Sequence, residues 1–141
     1  MHKVPVYLHS EVPTYSFKNK KVIKDWLKTV IQLENKVLSV INVIVVSDEE
    51  LLDINKKFLK QDYFTDVITF NYNEKDVVSG DIYISLDRIN ENAKKLKDTP
   101  ETEFHRVIVH GVLHLLGYDD KTSKQKVQIR SKEDVYLQIL T

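Results

Sequence analysis

Glu103-Phe-His-Arg-Val-Ile-Val-His-Gly-Val-Leu-His-Leu-Leu-Gly-Tyr-Asp-Asp120 is the stretch that decides the fold. Val107, Ile108, Val109, Val112, Leu113, Leu115 and Leu116 make it apolar nearly all round, as expected of a helix buried in a core. Thr99-Pro100-Glu101 opens that helix with proline at its first position, where the missing N–H costs nothing, and Gly117 closes it. Glu103, Arg106, His110 and His114 form one polar stripe spaced i, i+3, i+7, i+11. Polar groups buried together need partners, and a metal ion would satisfy both histidines at once.

The spacing suits that ion. Residues four apart on a helix stand about 5–6 Å apart at Cβ. Two imidazoles there can each bring a nitrogen to about 2.0–2.1 Å from a shared zinc. Gly117 can turn the chain back, so that Asp120, six residues after His114, reaches the same ion. The pattern H-x-x-x-H-x-x-G-x-x-D has the ligand spacing of the metzincins, with Asp third. Asp119 is the rival third ligand, but it lies off that spacing and is expected to be a turn or capping residue. Zinc peptidases of this spacing carry a Glu directly after the first His as general base, where this chain has Gly111. The expected chemistry is metal-assisted hydrolysis: three ligands leave a position for water, whose pKa the ion lowers toward about 7.

Working outward, Val4–Leu8 reads as a first strand, and Val22, Ile23, Trp26, Leu27, Val30, Ile31 and Leu33 fall at helical spacing after Lys20. The β-branched run within Lys36–Val46 predicts a buried strand. Ser47 with Asp48, Glu49 and Glu50 is a helix N-cap and acidic first turn leading into Leu51–Leu59. Asp66–Tyr72 and Asp81–Ser85 alternate as strands, with Asn71–Gly80 as a hairpin-like loop between them. Helices are expected over about Leu86–Lys97 and, amphipathic, about Thr122–Leu140. The fold class is α+β: one mixed sheet of about four strands covered by about five helices, with a zincin-like metal-binding helix.

The 141 residues suit one domain, residues 1–141, with one core. With 21 basic and 21 acidic residues the net charge is zero, so any nucleic-acid surface must come from local clustering. Lys121, Lys124, Lys126, Arg130 and Lys132 follow the metal motif and could steer a polyanion, or form the solvated face of a helix. No cysteine is present, so disulfides are excluded. No signal-peptide pattern or membrane-length apolar run is evident, so a cytoplasmic protein without membrane association is expected. Arg106 is a candidate for contacting phosphate or holding a carboxylate behind the ligands, against an ion pair with Glu103. Asp66 and Asp81 are candidates for lining the cleft or capping loops, and His2, His9 and His105 are given no catalytic role.

His110-Gly111-Val112-Leu113-His114-Leu115-Leu116-Gly117-Tyr118-Asp119 resembles H-G-x-L-H-L-x-G-Y-D, the signature of the YbeY family of rRNA maturation endoribonucleases. Thr65–Phe70 is similar to that family's T-D-V-L-S-F strand and Gly80–Ser85 to its G-D-I-x-I-S strand. Asn55 and Phe58 resemble the start of its N-x-x-Y-R helix, and the likeness runs over essentially the whole chain. Two positions depart: Asp120 stands where the family has a third His, and Leu59 where it has an Arg associated with RNA binding or catalysis. Lys60 and Arg106 are the candidate substitutes for that Arg. The resemblance implies a single-strand-specific, metal-dependent endoribonuclease acting with the ribosome in 16S rRNA 3′-end maturation and ribosome quality control. Together with the spacing of the residues, it leads to the expectation of one Zn2+, or another divalent transition metal, per chain on His110, His114 and Asp120, with His110, His114 and Arg106 as the candidate catalytic residues. The alternatives are a zinc-dependent peptidase-like hydrolase and a non-catalytic ribosome-associated factor with a structural metal.

Overall fold

The structure, a computed structural model, describes residues 4–140. Its elements in chain order are β1 (Val6–Ser10), α1 (Lys20–Leu33), β2 (Val37–Val46), α2 (Asp48–Leu59), β3 (Val67–Asn71), β4 (Val77–Ser85), α3 (Leu86–Lys95), α4 (Pro100–Leu115) and α5 (Ser123–Gln138). The strands make one mixed sheet in the order β1-β2-β4-β3. β1 and β4 run parallel to β2, while β3 pairs antiparallel with β4 as an edge. This is the α+β arrangement expected from the sequence.

The alternation along β2 divides the apolar side chains between two layers. Ile41, Val43 and Val45 join the main core with Ile82 and Ile84 of β4, under α1 and α4. Ile44 and Val46 face the other way into a smaller cluster with Leu51 and Ile68 beneath α2. A strand buried on both faces explains why its sequence is continuously apolar. Ser47 caps α2, its hydroxyl accepting from the Glu50 N–H at 3.2 Å, and Thr99 caps α4 likewise from Thr102 at 3.1 Å.

Several boundaries move. β1 runs Val6–Ser10 rather than Val4–Leu8, because the β2 register pairs Ser10 with Val45. β4 begins at Val77, not Asp81, since Val77 already pairs with Val37 of β2; the hairpin loop shrinks accordingly, with Glu74 bridging to Val77. α3 stops at Lys95, just before Lys97 takes a left-handed conformation with φ of 54°. α5 buries only a narrow stripe, Ile129, Glu133 and Tyr136, which rests on α4 and α1.

Two contacts fix where the metal motif ends. Gly117 adopts a φ of +103°, the left-handed turn that lets the chain leave α4. Asn73 then donates to the Leu115 carbonyl at 2.6 Å, satisfying a free acceptor at the end of the helix.

Candidate metal centre

α4 presses its middle against the sheet. A Cβ on Gly111 would lie 2.8 Å from Cγ2 of Ile82, so only glycine fits at that closest approach. The same packing turns His110 and His114 to the side, where Asp120 returns to meet them. The facing Nε2 atoms of the two histidines are 3.0 Å apart, and Oδ2 of Asp120 lies 3.4 Å from His110 and 3.5 Å from His114. Donors about 2.0–2.2 Å from a tetrahedral ion would stand about 3.3–3.6 Å from one another; the two distances to Asp120 fall in that range, and the two histidine nitrogens sit slightly closer together.

The outer partners fix which nitrogens face inward. The Tyr118 carbonyl can only accept, so Nδ1 of His114 donates to it, at 3.0 Å, and leaves the Nε2 lone pair free. Nδ1 of His110 is 2.6 Å from the Glu133 carboxylate, the arrangement that orients a ligating histidine and raises its basicity. With both imidazoles in that tautomer, three electron-rich atoms converge where a cation could bridge them. Among the described residues, His110, His114 and Asp120 form a group that could hold a metal ion. The surroundings of His110 are acidic: burial alone would lower its imidazole, but Glu133, Asp120 and Asp66 outweigh it and raise it.

Glu133 escaped the sequence reading, because it is one acid among the many charges of the last helix. It is buried, and the nearby Arg106 offsets its charge, donating to Glu133 at 2.9 Å and to Asp134 at 2.8 Å. Arg106 thus holds a carboxylate behind the ligands; the ion pair with Glu103 does not form, because α5 lies across α4 and offers two closer acids. Glu103 is itself buried, and burial with the charge of Asp66 raises its carboxyl.

Glu34 was missed too. The Tyr118 hydroxyl donates to it at 2.7 Å and Lys132 at 3.1 Å, and the Tyr136 hydroxyl donates as well. Burial would raise its carboxyl, but these three donors outweigh that and hold it below the usual carboxylate range. The cluster pins Tyr118, whose carbonyl orients His114, to the end of α1.

Asp119 accepts from the Asp120 N–H at 2.9 Å, the turn role expected of it. Asp66 lines the cleft beside the cluster, and burial raises its carboxyl, whereas Asp81 only accepts from Asn42 at 3.0 Å. Of the basic set, Lys126 and Arg130 line that cleft, while Lys132 is engaged with Glu34 and Lys121 lies 3.9 Å from Asp119. Leu59 lines a second cleft that also reaches His110, His114 and Asp120; Lys60 is the exposed left-handed cap of α2 and is not among its walls. His105 packs edge-on against Trp26, His9 pairs with Glu11, and His2 lies outside the described residues.

Fold and site define an α+β protein whose buried helix and following turn bring three side chains that could hold a metal ion to the meeting point of two clefts. Comparison with known proteins gives its kin. The family model described as Endoribonuclease YbeY matches residues 8–141, and the chain belongs to the YbeY family. A Cytophaga hutchinsonii protein named Endoribonuclease YbeY is 41% identical over 140 residues, covering 99% of this chain and 98% of that one. A Flavobacterium psychrophilum protein of the same name is 46% identical over 115 residues, covering 82% of each. The solution structure of a Thermotoga maritima protein superposes with a TM-score of 0.66 at 32% identity, covering 96% of this chain and 88% of that one.

Proposed function

We propose that this chain, as one hydrolase domain over residues 1–141, is a metal-dependent endoribonuclease that cuts single-stranded RNA in 16S rRNA 3′-end maturation and ribosome quality control. The observation that carries the reading is the triangle of His110, His114 and Asp120, open to two clefts, in a chain of the YbeY family. Zinc is the ion proposed, since two imidazoles and one carboxylate suit it. When bound, it supplies an acidified water and a positive charge for a phosphoryl oxygen.

The protein's own groups do the rest. Glu133 and the Tyr118 carbonyl hold the two imidazoles in the tautomer that presents Nε2. Arg106 balances Glu133, so that its charge stays fixed behind His110. Asp66, whose carboxyl burial raises, lines the cleft and is the proposed donor of a proton to the leaving oxygen.

The peptidase reading lacks a general base, and α4 has no room for one: the glutamate would have to stand at Gly111, against Ile82. A purely structural metal is disfavoured by a donor group of three, among the described residues, where structural zinc sites have four protein ligands. No helix among the described residues is long and apolar enough to cross a membrane. A cytoplasmic location, where the enzyme would meet the ribosome, is part of the proposal.

The test incubates zinc-loaded protein with a single-stranded RNA, the same RNA as a duplex, and a peptide, each with and without chelator. Chelator-sensitive cleavage of the single strand alone is expected, and faster with Leu59→Arg, which adds a cation to the second cleft. Cleavage of the peptide alone would overturn the proposal.

A further inference from the structure

The two clefts that meet at the metal cluster differ in charge. Asp66, His110 and Asp120 belong to both. The cleft toward α2, about 400 Å³, is completed by Asn55, Leu59, Gln61, Tyr63 and Thr65 among others, with no lysine or arginine in its walls. The cleft toward α5, about 280 Å³, contains Arg106, Lys126 and Arg130.

The chain has only three arginines, and two are committed. Arg88 pairs with Asp48 at 2.9 Å, and Arg106 with Glu133 and Asp134. Arg130 is exposed and makes no ion pair among the described residues. It stands four residues after Lys126, so the two share one face of α5. Of the acids in the same cleft, Glu133 is already balanced by Arg106 and Asp120 belongs to the metal group; burial raises the carboxyls of Asp66 and Glu103, and Glu103 feels the charge of Arg130 without forming an ion pair with it. The guanidinium of Arg130 is thus left to a ligand, and its planar fork matches two phosphate oxygens.

We propose that Arg130 and Lys126 form a phosphate clamp on α5 that holds the RNA strand on one side of the metal cluster, leaving the α2 cleft, which has no basic side chain in its walls, to bases and ribose. The proposal rests on the ribonuclease reading, and makes the strand's contact with the site one-sided. Arg130 grips a phosphate in a fixed orientation, and Lys126 adds a mobile point charge one turn away.

The experiment measures binding of a fluorescein-labelled, single-stranded 2′-O-methyl oligonucleotide to zinc-loaded protein by anisotropy over a salt series. Arg130→Gln is expected to weaken binding about fivefold and to reduce the slope of log affinity against log salt by about 0.7, the share of one phosphate on a single strand. Lys126→Gln should show the same slope change with a smaller loss. Arg130→Lys should restore the slope but not the full affinity, because it keeps the charge and loses the fork. Lys28→Gln, the same charge change on exposed α1, should leave the slope as it is. Arg130 ligates nothing in the cluster, so bound zinc should be equal in every variant.

An unchanged slope in both Arg130→Gln and Lys126→Gln, with wild-type protein that binds and cleaves RNA, would overturn the clamp alone. Wild-type protein that neither binds nor cleaves RNA would overturn the ribonuclease reading and the clamp with it.

Discussion

Glu133→Ala removes the one side chain that touches both His110 and Arg106, at 2.6 and 2.9 Å. The side chain is 5% exposed, so no water readily takes the place of its oxygens. His110 then loses the acceptor that fixes its tautomer. Carboxylates in this position are worth about 10–100-fold in metal affinity, or about 1.4–2.7 kcal/mol. The fold should lose less than the ~3–5 kcal/mol of a fully buried broken pair, because Arg106 is 19% exposed and keeps Asp134. A cost of about 1–3 kcal/mol is expected. Glu133→Gln keeps an acceptor of the same shape without the charge, and its metal loss should sit near the ~10-fold end. Zinc affinity is read by competition with a chromophoric chelator, and stability by melting the chelated protein, so that the two effects separate. A folded Glu133→Ala variant binding zinc as tightly as wild type would refute the assignment of Glu133 as the group that orients His110.

Three further outcomes follow from the geometry. Asp120→Ala should lower zinc affinity clearly, Asp120→His should keep or raise it, and Asp119→Ala should matter less; chelator competition on the three variants checks the order, and the reverse order would shift the ligand register by one residue. Gly111→Ala drives a methyl into Ile82, and overpacking of about 1–3 kcal/mol should exceed the ~1 kcal/mol gained in helix propensity, lowering the melting temperature by a few degrees. Glu34→Gln should cost about 1–2 kcal/mol at neutral pH. Because the folded-state carboxyl of Glu34 lies below its ordinary value, that stability is present above the usual carboxylate range and disappears as pH falls through and below it. Urea titrations of wild type and Glu34→Gln should therefore converge toward acid, and a difference that persists there would contradict the cause given.

The cluster of His110, His114 and Asp120 was legible because helical periodicity is local: residues four apart share a face, and Gly117 announces the turn that brings back Asp120. The buried strand β2 was legible for the same kind of reason, its β-branched run being what a strand covered on both faces requires. Glu133 and Glu34 were not. Each acts through residues far along the chain, Glu133 on His110 and Glu34 on Tyr118 and Tyr136, and no spacing rule joins such pairs. Arg106 shows the boundary well: its place on the ligand stripe was readable, but its partners lie on α5, so its nearest acid in sequence, Glu103, was the wrong neighbour to expect. Strand ends moved for a similar reason, since register with β2, not local composition, starts β4 at Val77.

His110, His114 and Asp120 are proposed to hold a catalytic ion. Elemental analysis of purified wild-type protein beside a folded His110→Ala/His114→Ala variant tests this most directly. One divalent ion per wild-type chain and none in the double variant is the result predicted; equal metal content in the two proteins would contradict it.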